Sequence, residues 1–87
     1  MTDRQLKYLI TLAEEGNMTT AAQKLFISQP SLSYLLGHVE QELGAELFHR
    51  NTTPLTLTEA GESYVETARK ILGIKREVKL CQERLSV

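Results

Sequence analysis

Between Ser28 and Gln41 the chain carries serine, glutamine and tyrosine side chains, each able to donate and accept hydrogen bonds, at helical spacing. With about 100° between successive residues, Pro30, Ser33, Tyr34, Gly37 and Gln41 fall on one face. Leu32, Leu36, Val39 and Leu43 fall on the opposite arc and are expected to face a core. Gln29 and Ser31 occupy the exposed N-terminal tip. The polar stripe lacks the lysine–glutamate pairs that decorate an ordinary solvated helix. Gly37 sits inside it, although glycine within a helix costs about 1 kcal/mol relative to alanine; close approach of another backbone or of a duplex would offset that. The chemistry such a face can do is base reading. Glutamine pairs bidentately with adenine, serine bonds either way, and an apolar ring touches the thymine methyl, all in a groove that admits one helix. A helix N-terminus adds free N–H groups suited to phosphate. A polar surface helix with an accidental glycine is the other reading of the same stripe.

Several elements must hold that face in place. Leu6, Leu9, Ile10 and Ala13 follow the helical period, with Thr2 or Asp3 as N-cap and Gly16-Asn17 as the stop. A short second helix starting at Thr19 carries Ala21, Ala22 and Leu25 inward. Ser28 caps a third helix over 29–43, supported by Pro30 in its first turn and ended by Gly44. Two short helices so closely joined form a helix-turn-helix over about 18–37, though the turn lacks the glycine often found there. The period then changes. Residues 46–50 and 55–57 read as strands around the polar turn Asn51-Thr52-Thr53-Pro54, a small β-hairpin. Thr58 caps a last helix that runs to about Leu85.

That last helix has two apolar stripes. Tyr64, Ile71, Val78 and Leu85 recur every seven residues, with Thr67, Ile74 and Cys81 three positions after the first three, which is an a/d seam for a second helix. Val65, Ala68 and Leu72 are offset from it and suit packing on the chain's own core. A single wide core face is the alternative. Cys81 reads as a small apolar seam residue, and Arg69, Lys70, Lys75, Arg76 and Lys79 as a solvated face with Glu66, Glu77 and Glu83.

Eighty-seven residues, 41% hydrophobic and 24% charged, describe one domain with a modest core. No apolar run approaches the roughly 20 residues that cross a bilayer, and no secretory signal opens the chain. A single cysteine makes no internal disulfide, which fits a cytoplasmic protein with no membrane partner. The net charge is −1, without the basic excess common in nucleic-acid binders. Up to Ala45 there are three bases against five acids, and six of the later seven bases lie beyond residue 68. No serine–histidine–carboxylate set, phosphate loop or metal-ligand spacing occurs, so no catalytic residue, metal or cofactor is expected.

Ala21-Ala22, Ser28-Gln29-Pro30-Ser31-Leu32-Ser33, Glu40-Gln41-Glu42-Leu43-Gly44, Leu47-Phe48-His49-Arg50 and Leu55-Thr56-Leu57-Thr58-Glu59-Ala60-Gly61 together resemble the N-terminal DNA-binding domain of LysR-type transcriptional regulators. The order and spacing agree over about sixty residues of the chain. The resemblance implies a mainly α fold: a winged helix-turn-helix domain over 1–58 with a two-stranded wing, followed by a linker helix over 59–87 that pairs antiparallel in a homodimer. It implies sequence-specific binding to an interrupted palindrome in an effector-controlled bacterial promoter, with a tetramer left open for a full-length protein. Gln29, Pro30 and Ser33 would meet the major groove, and Ser28 and Ser31 the backbone or base edges near the helix start. Arg50 would reach from the wing toward the minor groove. Thr52, Thr53, Thr19 and Thr20 would donate to phosphates, while Tyr34, Gly37 and His38 stand where relatives place more polar or basic groups. Two-fold symmetry would set the reading helices about 34 Å apart, one helical turn, or a multiple of it. Family members continue into a larger effector-sensing domain, so the chain reads as a fragment, with a naturally short form as the alternative.

Two competing readings remain. Arg50 can pair with Glu46 instead of meeting DNA. A winged helix can also serve protein–protein contact without DNA binding, in which case Tyr34, Leu35 and Leu36 would be its adhesive patch.

Overall fold

The computed structural model describes residues 2–85, and the side chains among them through Lys79. Three helices, α1 (Asp3–Glu15), α2 (Met18–Lys24) and α3 (Gln29–Leu43), precede two antiparallel strands, β1 (Phe48–His49) and β2 (Thr56–Leu57), and a long α4 (Glu59–Leu85). The expected architecture, mainly α with a small wing, is the one observed.

Local chemistry sets each boundary. Thr2 caps α1 in a reciprocal capping box with Gln5, and Gly16 ends it in the left-handed conformation, φ 64°. Asn17 does not share that role. Its backbone is extended and its side chain accepts the Thr20 N–H, so it caps α2, which therefore begins at Met18 and not at Thr19. The turn between α2 and α3 lacks glycine because Phe26 itself takes the left-handed conformation, φ 57°. Ser28 caps α3, with Pro30 in the first turn and a left-handed Gly44 at the end.

The core gathers Leu9 and Leu12 of α1, Ala21 and Ala22 of α2, Leu32, Leu36 and Val39 of α3, and Leu47 and Phe48 at the wing's entry. Leu12 is fully buried, whereas Ile10 and Ala13, expected on the inner face, are half-buried. Val65 and Ala68 of α4 are buried as their offset stripe requires, with α4 packed along α1. Leu43 departs from the expected inner arc of α3. It is 44% exposed and borders an open apolar groove with Leu6, Ala45, Leu47, Tyr64 and Ile71. Glu40, not expected on the inner arc, is buried at 9% exposure.

The wing strands are shorter than the runs 46–50 and 55–57. The backbone groups flanking them are engaged elsewhere: the Leu47 N–H on the Glu40 carboxylate, the Leu47 carbonyl on the Thr58 N–H, and the Leu55 N–H on the Gly16 carbonyl. Those bonds tie the wing to α3, to the start of α4 and to the end of α1. Thr58 completes the junction, donating to the Glu46 carbonyl at 2.6 Å and capping the Gly61 N–H at 3.0 Å.

Candidate nucleic-acid interface

The polar face of α3 is exposed as its spacing requires. Gln29, Pro30, Ser31, Ser33, Tyr34, His38 and Gln41 are exposed, and Gly37 is half-buried. At the helix start the Ser28 hydroxyl donates to the Ser31 hydroxyl at 2.7 Å and accepts the Ser31 N–H at 3.2 Å. These two serines are therefore engaged in the cap, while the side chains of Gln29 and Ser33 make no hydrogen bond among the described residues. A Cβ placed on Gly37 meets nothing within 4 Å, so no part of the described chain requires glycine there.

One cleft collects much of the expected site. Gln29 and Ser33 of α3 line it together with Arg50, Thr52 and Thr53 of the wing. Gly16, Asn17, Met18 and Leu55 complete its wall, none of which stood among the expected site residues. The signal for Asn17 was its place just before Thr19 and Thr20, where an asparagine caps a helix. Thr19 and Thr20 are exposed in that first turn. Thr52 donates to the His49 carbonyl at 3.1 Å, which stiffens the wing turn.

A second, shallow depression holds Tyr34, Gly37, His38 and Gln41. Tyr34 is 77% exposed and its ring stacks against His38 with centroids 6.3 Å apart. His38 in turn reaches Glu42 at 3.0 Å, a carboxylate partner one helical turn away. The adhesive patch of Tyr34, Leu35 and Leu36 does not form. Leu36 is fully buried and Leu35 half-buried, because the helical period turns them toward the core.

Arg50 is paired with a different acid from the one its sequence neighbours offer. Its Nη2 donates to Glu40 Oε1, and Glu46 is not its partner. The other Glu40 oxygen, Oε2, accepts the Leu47 N–H at 2.6 Å. Sequence reading missed Glu40, although its position four residues after Leu36 places it on the inward arc.

Along α4 the expected seam is open at Thr67, Ile71, Ile74 and Val78, all exposed, while Tyr64 is half-buried. The Tyr64 hydroxyl is buried with no partner among the described residues, and burial pushes its phenol above its ordinary pKa. Cys81 and Leu85, also expected in the seam, lie outside the residues whose side chains are described. The basic face of α4 is exposed, as expected, and two of its members pair with α1. Arg69 reaches Glu14 at 3.5 Å and Lys75 binds Asp3, so both reach back to α1. Lys24, near the recognition elements, is held to Glu15 at 2.5 Å, and that hydrogen bond raises its pKa. No helix among the described residues is long and apolar enough to cross a membrane.

A helix pair joined by a short left-handed turn, with its second helix exposed beside a two-stranded wing, defines a winged helix-turn-helix. Residues 4–62 match the model of the bacterial regulatory helix-turn-helix proteins of the lysR family, and the chain belongs to that family. The HTH-type transcriptional regulator ClcR of Pseudomonas putida is 45% identical over 71 residues, which cover 82% of this chain and 24% of ClcR. Among solved structures, the BenM DBD/catB site 1 DNA complex superposes with a TM-score of 0.94 at 34% identity, covering 99% of this chain and 92% of the other. The CbnR DBD–DNA complex gives 0.91 at 37% identity, with both chains fully covered. The chain thus spans about a quarter of the length of the curated regulator it matches.

Proposed function

We propose that this chain is the DNA-binding part of an effector-controlled bacterial transcriptional regulator, acting in the cytoplasm as a homodimer on an interrupted palindrome. The observation that carries the reading is the single cleft in which Gln29 and Ser33 of the exposed helix meet Arg50, Thr52 and Thr53 of the wing. A helix laid in a major groove with its wing on the neighbouring backbone needs that juxtaposition. Family membership, relatives named as transcriptional regulators and neighbours solved with DNA support the same reading.

In this reading Gln29, Pro30 and Ser33 read base edges, with Tyr34 beside them, and Gly37 and His38 border the groove. Ser28 and Ser31 fix the helix start against the DNA backbone, while Thr19, Thr20 and Thr53 donate to phosphates and Thr52, expected to do the same, has its hydroxyl proton on the His49 carbonyl and holds the wing turn. Arg50 is the wing's donor. Residues 1–58 bind, and the linker helix over 59–87 pairs two copies through Tyr64, Thr67, Ile71, Ile74, Val78, Cys81 and Leu85. The chain's part is recognition, not catalysis.

Selection from random duplexes on the purified protein tests this. A palindromic consensus is the expected product, and Gln29→Ala should weaken binding to it by about 1–3 kcal/mol, the usual worth of a bidentate base contact. Absence of any enriched sequence, or a Gln29→Ala variant that loses a protein partner while binding DNA unchanged, would favour the protein-contact reading instead.

A further inference from the structure

Glu40 is the buried charged side chain among the described residues, and its carboxylate has two partners from the wing: the Leu47 N–H on Oε2 and the Arg50 guanidinium on Oε1. An N–H alone would be satisfied by a neutral amide oxygen. Burying a full negative charge is expensive unless a cation compensates it, so the choice of glutamate over glutamine at this position is explained by Arg50. The arginine, by contrast, is half exposed and lines the cleft with Gln29, Ser33, Thr52 and Thr53. Guanidinium carries five N–H donors. With Nη2 on Glu40, the remaining donors are free to serve the cleft.

Two physical consequences follow. First, the side chain reaches the cleft already oriented, so less rotamer entropy is lost on binding. Second, its charge is already balanced. A phosphate that meets a neutral Glu40–Arg50 pair gains a directed hydrogen bond but little net neutralisation, and it is neutralisation that releases counterions and makes affinity salt-dependent. Resting on the DNA-binding reading above, we propose that Glu40 is a positioning residue that holds Arg50 as an oriented, charge-balanced donor, so that the wing contributes to sequence discrimination more than to general phosphate affinity.

Glu40→Gln tests this in the full chain, because its amide oxygen can still accept the Leu47 N–H while the ion pair is removed. Arg50 should then engage phosphate with its whole charge. The slope of log affinity against log salt is expected to steepen by up to about 0.9, the value of one neutralised phosphate. The ratio of cognate to unrelated duplex affinity is expected to fall by about three- to tenfold, the cost of ordering one long side chain. Arg50→Gln should lower that ratio while barely moving the slope, and Glu40→Gln should add nothing to it in that background. Nitrogen-15 spectra without DNA give an independent readout: separate Arg50 Nη signals in the wild type, merged in Glu40→Gln. An unchanged slope and ratio in Glu40→Gln would overturn the proposal. So would an Arg50→Gln slope that flattens by about 0.9, as removal of a fully charged phosphate partner requires, or averaged Nη signals in the wild type. Should Glu40→Gln not fold, the Arg50→Gln slope and the wild-type spectrum decide. A wild type with no preference among duplexes would instead overturn the DNA-binding reading, and separate Nη signals would then show the pairing of Glu40 and Arg50 to be purely structural.

Discussion

Gly37 costs α3 helical stability, and the described chain contains nothing that its missing Cβ makes room for. Of the readings its sequence position left, close approach of another backbone of the fold is removed, since none comes within 4 Å of the added Cβ; a duplex and an accidental glycine on a polar surface are separated by substitution. Gly37→Ala should raise the unfolding free energy by about 1 kcal/mol and the melting temperature by roughly 4–8 °C. It should also weaken cognate duplex binding at unchanged fold, read by titration beside calorimetry. A variant that is both more stable and equally tight would show that no duplex approaches this residue. Exposure of Gln29 and Ser33 follows from period alone, because a face needs only its own helix to be defined. The role of Glu40 does not, because its partners lie seven and ten residues further on, across a change from helix to strand. Phe26 is similar: 95% exposed and left-handed, it stands in the turn where glycine is often found, and its backbone conformation is not legible from its residue type.

At the scale of elements, the wing and α4 are joined by an approach too close for a side chain. A Cβ on Gly61 would lie 1.9 Å from the Leu47 carbonyl oxygen, the same oxygen that accepts the Thr58 N–H. The clash is with backbone, so relief requires moving α4 off β1's entry. Gly61→Ala should therefore destabilise by roughly 1–3 kcal/mol, as overpacking does. Gly73→Ala, where the added Cβ meets nothing within 4 Å, should stabilise by about 1 kcal/mol. Denaturant unfolding of the pair checks the contrast, and equal effects would mean that the Gly61 approach is not tight. Both glycines look alike in the sequence, as weak breakers inside one helix; only the neighbour of each distinguishes them. The four helices were legible because caps and apolar period are local signals. The strand lengths were not, because the flanking amides and carbonyls bond to α1, α3 and the start of α4 at distances in sequence that no local pattern encodes.

The whole molecule measures 51 × 26 × 21 Å, and its length comes from the 27 residues of α4, about 40 Å at helical rise. The first half of that helix is buried on α1 through Val65 and Ala68, whereas Ile74 and Val78 remain 59% and 54% exposed. Ile71 belongs to both regions, lining the apolar groove with Leu43 and Tyr64 while standing at the head of the open seam. Exposed apolar residues at heptad spacing on an otherwise charged helix are the surface that a second copy would cover. Charge gives the same assembly a purpose. The bases between residues 17 and 57 are Lys24 and Arg50, each already paired with a carboxylate. On the proposed reading one protomer would therefore offer few phosphate contacts, and two protomers on one palindrome would offer twice as many. Ile74→Glu, placing a charge in the seam, should give a monomer by sedimentation, with the salt slope of duplex binding about halved because the slope counts phosphates neutralised. The wild-type slope should itself be shallower than that of a strongly basic relative. A charged seam that still sediments as a dimer, or a monomer with the full wild-type slope, would place the pairing surface elsewhere and return the burden of affinity to the single wing and helix.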